Sequence, residues 1–166
     1  MERPLPEPVL RSCVKTQVYT TVAGDDVSDT TLEAAAKLFN ENYGVWAKHS
    51  GKAGKSICSL CFQLVTCLVG ESVKLSARRL RQQYLPNATT TVASYYTMVT
   101  VDGNLAGNAF ACRWKWNGKT VCWVTQLVVH KDYRDNGLAS GLLRTLRKPT
   151  DDIYGIMTSL LYPGHW

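Results

Sequence analysis

Between residues 92 and 129 apolar and polar side chains alternate with a period of two, and the pattern is interrupted at Asp102-Gly103 and Asn117-Gly118. Alternation of that period puts successive side chains on opposite faces of an extended chain. The two dipeptides favour the left-handed backbone of a tight hairpin turn. Together they predict three antiparallel strands, at residues 92–101, 105–116 and 120–129, and any fold for this chain has to be built around that meander. In the second hairpin Phe110, Cys112, Trp114 and Trp116 share a face with Val121, Trp123 and Thr125. That face is expected to be core. A base-stacking platform needs basic groups beside exposed rings, and Arg113 and Lys115 fall on the other face.

Helical spacing dominates elsewhere. Residues 14–22 read as a first strand, broken by Gly24-Asp25-Asp26. Thr30-Thr31-Leu32-Glu33 has the form of a capping box, and Leu32, Ala35, Ala36 and Phe39 follow at helical spacing toward an end near Tyr43-Gly44. A loop rich in Gly, Lys and Ser covers 48–56. Its Gly54-Lys55-Ser56 is not a phosphate-binding P-loop, because His49 stands where the first glycine belongs and a helix precedes it. Residues 57–69 are uncharged and apolar on several helical faces, which predicts a buried helix ended by Gly70, with a strand pair as the alternative. Residues 72–84 predict a helix with Val73, Ala77, Leu80 and Tyr84 on one side. Its other side carries Lys74, Arg78, Arg79 and Arg81, read as a solvated face.

The strand at 120–129 runs into Val128-Val129-His130-Lys131-Asp132-Tyr133-Arg134-Asp135-Asn136-Gly137-Leu138-Ala139-Ser140 and then a helix to Arg147. Leu138, Leu142, Leu143 and Leu146 give that helix an apolar side, Gly141 permits close approach to the sheet, and Pro149 stops it. Residues 153–159 follow as a strand, parallel to 120–129 through a right-handed crossover. A helix that opens directly after a strand leaves its first amides unpaired and pointing outward, where an anion can sit. Arg134 adds positive charge, and Gly137 and Ala139 leave room for a bulky phosphate.

This stretch resembles the acetyl-CoA-binding motif of the GNAT acetyltransferase superfamily, whose signature is Arg/Gln-x-x-Gly-x-Gly/Ala after a strand. The match is Arg134, Gly137 and Ala139 behind the apolar residues 121–129. It extends well over 92–159 and loosely over the first helices. The resemblance implies an α/β (α+β) fold, a mixed and mostly antiparallel sheet flanked by helices, with a parallel strand pair after the pyrophosphate turn. It implies acetyl-CoA as cofactor. The backbone of Leu127, Val128 and Val129 would line the pantetheine arm, and the amides of Asp135, Asn136, Gly137, Leu138, Ala139 and Ser140 the pyrophosphate, with Arg134 at the mouth. A backbone N–H near Val128 would polarise the thioester carbonyl.

The implied reaction moves an acetyl group to a primary amine on a small-molecule or protein acceptor. The amine must first lose a proton, from a free-lysine pKa of about 10.4. Gln126 and His130 lie on or beside the central strand, but each has a structural reading, so no catalytic residue is assigned. The family's last helix and two further strands have no counterpart after 159. Residues 14–166 therefore read as a single, C-terminally shortened GNAT-like domain. The alternative function is a catalytically impaired CoA-binding or protein-interaction module with the same fold.

Composition sets outer bounds. A chain of 166 residues with 45% hydrophobic content suits one domain with a real core. The net charge of +6 fits an acidic cofactor but also a nucleic acid; without a recognisable nucleic-acid motif that partner ranks last. Residues 1–13 hold three prolines near the start and no signal-peptide core, and read as a disordered lead-in. The longest apolar run falls short of the roughly 20 residues of a membrane span. Cys13, Cys58, Cys61, Cys67, Cys112 and Cys122 lack the spacing of a zinc site, and the hairpin register separates Cys112 from Cys122. Neither metal nor disulfide is expected, and the chain reads as soluble, cytoplasmic or nuclear rather than secreted.

Overall fold

The computed structural model describes residues 15–42, 56–58, 61–65, 74–89 and 91–157, with side chains outside the short hairpin at 56–65. A five-stranded sheet has the order β1-β4-β5-β6-β7, formed by Gln17–Ala23, Val92–Val101, Asn104–Trp116, Lys119–Val129 and Ile153–Ile156. Neighbours run antiparallel except β6 and β7, which are parallel. The expected mixed sheet is present, and the meander at its centre has the expected strands to within a residue. Both turns carry the backbone their sequences demand, with φ of 50° and 81° at Asp102-Gly103 and 48° and 76° at Asn117-Gly118.

The pleat divides the core into two layers. Tyr96, Phe110 and Val128 face the helices α1 (Asp29–Asn42) and α2 (Ala77–Tyr84), while Val99, Ala109, Ala111 and Val124 face α3 (Leu138–Leu146). In α1, Leu32, Ala35, Ala36, Leu38 and Phe39 are buried. Its cap is Ser28, whose hydroxyl accepts the Thr31 amide at 3.2 Å, so the Thr30 capping box is superseded by the serine two residues earlier. The helix expected over 72–84 starts later, at Ala77, where Ser76 caps it by accepting the Arg79 amide; residues 74–76 are not helical. Arg81 on its basic face is not merely solvated: it pairs with Asp29 at 2.9 Å and donates to the Val27 carbonyl. Gly141 lets α3 settle on β1, since a Cβ there would lie 2.2 Å from the Tyr19 hydroxyl.

Two expectations fail. The buried helix over 57–69 is replaced by an antiparallel hairpin of β2 (Ser56–Cys58) and β3 (Cys61–Val65), with Cys58 opposite Cys61. Apolar residues on every helical face gave no stripe to define a helix, and the β-branched Ile57 and Val65 favour extended backbone. The aromatic face of the second hairpin is core only in part. Phe110 is fully buried, whereas Trp116 near the turn is 57% exposed, because the helices cover the sheet around Tyr96 and Phe110 and the hairpin runs out past them. The lead-in, the loop at 48–55 and the chain beyond 157 lie outside the described residues. No helix among the described residues is long and apolar enough to cross a membrane.

A buried ion pair fixes the far side of the sheet. Arg113 on β5 donates to both carboxylate oxygens of Asp151, at 2.7 and 2.9 Å, and to the Leu146 carbonyl at 2.8 Å. Asp151 also accepts the Lys148 amide at 2.8 Å and is fully buried. Its register partner Cys122 puts Arg113 on the α3 side, with Cys112 opposite Trp123, so the two thiols face opposite sides and do not pair with each other. The guanidinium holds the Asp151 carboxyl below the usual carboxylate range. A depressed pKa stabilises the fold above the unfolded value, about 3.9, and that contribution disappears as pH falls through the folded value. Asp151→Asn should therefore lower unfolding free energy at pH 7 by about 3–5 kcal/mol, because Arg113 is left without its counter-charge. In denaturant melts the gap to the parent chain should narrow below about pH 4; equal stability at pH 7 would contradict it.

Candidate functional site

The site begins where β6 takes in one extra residue. Ala111 pairs with Val124 and Phe110 with Gln126, so Thr125 has no partner on β5 and its hydroxyl donates to the Phe110 carbonyl at 3.2 Å. A bulge of this kind switches the faces of the strand that carries it. Before it, Cys122 and Val124 look toward α3; after it, Gln126 and Val128 look toward α1 and α2, and Leu127 toward α3.

The bulge is also where the described pairing of β6 with β7 ends. Pairing of β6 with β7 runs from Val121–Ile153 to Val124–Ile156 and finishes with the Met157 amide on the Val124 carbonyl at 2.8 Å. Past that point no strand among the described residues pairs with this edge of β6. On its other edge the His130 amide donates to the Ala106 carbonyl at 2.8 Å. In an antiparallel ladder alternate residues turn their polar groups to the same neighbour. Gln126, Val128 and His130 therefore address β5, and Leu127 and Val129 present theirs to the open edge. This corrects the expectation for Val128: its backbone is used within the sheet, so the N–H groups free to meet a ligand are those of Leu127 and Val129.

The open edge leads into the helix N-terminus. A 3-10 turn, Lys131–Tyr133, is capped by His130, whose Nδ1 accepts the Asp132 amide at 3.2 Å. That contact gives His130 a structural task. Asp135 and Gly137 take left-handed backbone, φ 63° and 74°, and Gly137 is the N-cap of α3 with no side-chain cap of its own. The first helical bond is Gly141 N–H to the Gly137 carbonyl, 3.0 Å, which leaves the amides of Leu138, Ala139 and Ser140 ahead of the ladder. Asp135, Asn136, Gly137 and Ser140 are exposed around them and Ala139 is half-buried. Leu138 is buried and anchors the turn to the core. Gly137 matters through its backbone angle rather than through space, since a Cβ built there meets nothing within 4 Å.

Arg134 also has a structural task. Its Nε donates to the Val129 carbonyl at 3.3 Å and its Nη2 to the Asn42 carbonyl, so the guanidinium ties the turn to the end of α1. Asn42 completes the clamp: it is 7% exposed, its Oδ1 accepts the Lys131 amide at 2.9 Å and its Nδ2 donates to the Leu38 carbonyl at 2.8 Å. Sequence reading missed Asn42, whose one signal was a polar residue on the apolar side of a helix, four after Leu38. Gln126 is buried, and neither of its amide atoms has a partner among the described residues. No cluster of metal-ligating side chains occurs among the described residues.

Both Asn42→Ala and Arg134→Ala should lower thermal stability, the first by about 0.5–1.5 kcal/mol as the partly buried Lys131 amide loses its acceptor. Because the residues share one clamp, the double variant should lose less than the sum, with a coupling of about 0.5–3 kcal/mol. Strict additivity in chemical denaturation would show that they act separately.

Residues 64–151 match the model of the acetyltransferase (GNAT) family. Solved structures share the fold at low identity. An aminoglycoside acetyltransferase from an uncultured soil metagenomic sample, in complex with sisomicin, aligns with a TM-score of 0.50 at 9% identity over 86% of this chain and 78% of that one. An aminoglycoside N-acetyltransferase in complex with CoA gives 0.50 at 16% identity, over 92% and 82%. A GCN5-related glucosamine N-acetyltransferase region of a fungal multi-domain β-N-acetylglucosaminidase gives 0.53 at 15% identity, over 97% of this chain and 16% of that one. At these identities the likeness is one of fold. No curated protein sequence matches the chain.

Proposed function

The chain belongs to the GNAT acetyltransferase family, and on that premise we propose that it transfers an acetyl group from acetyl-CoA to a primary amine. The observation that carries this reading is the continuity of two recognition elements. A strand edge from Leu127 to Val129 that no strand among the described residues pairs with runs straight into a helix N-terminus at Gly137 that has no side-chain cap. A linear amide-bearing arm that ends in a pyrophosphate matches both, hydrogen-bonding along the edge and placing its charge at the amides. One structure that shares the fold was solved with CoA.

In this reading Leu127 and Val129 hold the pantetheine arm by their backbone, and the Leu138, Ala139 and Ser140 amides, with those of Asp135, Asn136 and Gly137, receive the pyrophosphate. Val128 and Arg134 work indirectly. Val128 keeps the edge straight by pairing with Asn108, and Arg134 fixes the turn against α1 while adding positive charge beside it. Acetyl-CoA supplies an activated thioester. The Leu127 N–H, the first on the open edge after the bulge, is placed to stabilise charge on the carbonyl oxygen. His130 is engaged in capping and is not given the role of base. The acceptor is an amine that arrives or becomes neutral at the bulge.

Calorimetric titration with acetyl-CoA, followed by thiol release against a panel of primary amines, tests the reading. Saturable binding with amine-dependent thiol release is expected; binding without release would overturn the transfer step, and no binding would overturn the site. Gly137→Val should weaken acetyl-CoA binding about 5- to 150-fold, since left-handed backbone is strained by about 1–3 kcal/mol in a side-chain-bearing residue and its relief re-aims the amides. Unchanged affinity in that variant would separate the turn from cofactor binding.

A further inference from the structure

We infer that Tyr96, Asn108 and Gln126 form a buried binding site for a neutral group that both donates and accepts hydrogen bonds. The three residues lie on adjacent strands and on one face. Tyr96 is opposite Phe110, which is opposite Gln126, and Asn108 sits two residues along β5, opposite Met98 on one side and Val128 on the other. Asn108 is thus the diagonal neighbour of both Tyr96 and Gln126, within reach of long side chains. They are 0%, 1% and 6% exposed.

Five of their polar atoms, the Tyr96 hydroxyl and both amide atoms of Asn108 and of Gln126, make no hydrogen bond of normal geometry among the described residues, although the Asn108 amide lies near enough to the Tyr96 hydroxyl to lower its pKa. In native proteins roughly 90% or more of such buried atoms are paired. Five such atoms on three adjacent strands, on one face of the sheet, therefore call for a ligand that supplies both donors and acceptors. The side chains dictate its chemistry. Each carboxamide offers donors and acceptors at once. Burial pushes the Tyr96 phenol up to about 12, against a smaller opposing pull from Asn108, so it is a neutral hydroxyl at physiological pH. The residues packed around them on this face, Met98, Phe110, Val128 and Leu32, are apolar. An ammonium or carboxylate held there would be desolvated without a counter-charge. A neutral hydroxyl, amide or water is accommodated.

Placement ties this site to the reaction proposed above. Gln126 is the first residue after the Thr125 bulge, where the open edge of β6 begins. Tyr96 is also part of the wall of a groove of about 260 Å³ between α1 and the β4–β5 hairpin, which Thr30, Thr31 and Thr100 also line. The bound group has two sources, an ordered water or a hydroxyl or amide of the acceptor itself. The first holds whatever the catalytic activity; the second rests on the proposed function.

A crystal structure of the full chain grown without an amine tests the site itself. A water should lie within hydrogen-bonding distance of at least two of the three side chains; direct bonding among them, with no foreign atom, would overturn the proposal. Kinetics with Asn108→Leu and Gln126→Met then separate the sources. If the acceptor supplies the group, KM for hydroxyl- or amide-bearing amines should rise about 10-fold while a plain alkylamine and the affinity for acetyl-CoA are unchanged. If water fills the site, all amines should behave alike and the water should vanish from the variant crystals. A variant that keeps both the water and the parent KM would contradict the assignment of those side chains. Should Asn108→Leu fail to fold, Asn108→Ser, which leaves room for a second water, replaces it in the same assays. A parent chain that binds no acetyl-CoA would refute the proposed function and leave the crystallographic outcome to decide the site.

Discussion

Where β6 takes in Thr125 as an extra residue, its side chains change faces and its pairing with β7 stops. Both effects come from one backbone event, and the candidate chemistry depends on both. A regular β6 would continue its pairing and consume the Leu127 and Val129 amides in the sheet. It would also keep Gln126 on the α3 side, away from Tyr96 and Asn108. The bulge therefore supplies an edge for one ligand and turns the Gln126 carboxamide toward another within four residues, 126–129.

An open edge is useful only if it does not move, and two clamps hold it. On the α3 side, Arg113 joins the middle of β5 to Asp151 and to the last turn of α3, which fixes where β7 starts. On the other side, Arg134 and Asn42 join the end of β6 to the end of α1. The two differ in kind. The first is a buried ion pair whose members are costly to separate; the second is a set of hydrogen bonds to backbone groups, which positions the turn without neutralising Arg134. The Leu138, Ala139 and Ser140 amides thus have beside them a positive charge that forms no ion pair among the described residues.

The meander was legible in the residues because its information is local: alternation fixes the faces and two Gly-containing turns fix the register. Gly137 and the apolar stripe of α3 were legible for the same reason. What local patterns do not encode was misread. Residues 57–69 have no stripe of either period, so burial alone suggested a helix where a hairpin forms. The exposure of Trp116 depends on how far α1 and α2 reach across the sheet. The bulge at Thr125 carries no Gly or Pro to mark it, so the face on which Gln126 lies and the neighbour that the Val128 backbone addresses were not legible. Arg134 was read from its motif position, and its hydrogen-bond partners, 92 residues earlier and five residues earlier in the chain, were not legible there.

The central claim is that one continuous surface, the β6 edge and the opening of α3, receives a single ligand. Backbone amide NMR of the full chain titrated with acetyl-CoA tests it most directly. The account predicts that the Leu127, Val129, Leu138, Ala139 and Ser140 amides shift together along one saturable curve and become protected from exchange, while Val128 stays protected throughout by its bond within the sheet. Shifts confined to other surfaces, or edge and helix amides that titrate with different affinities, would contradict it.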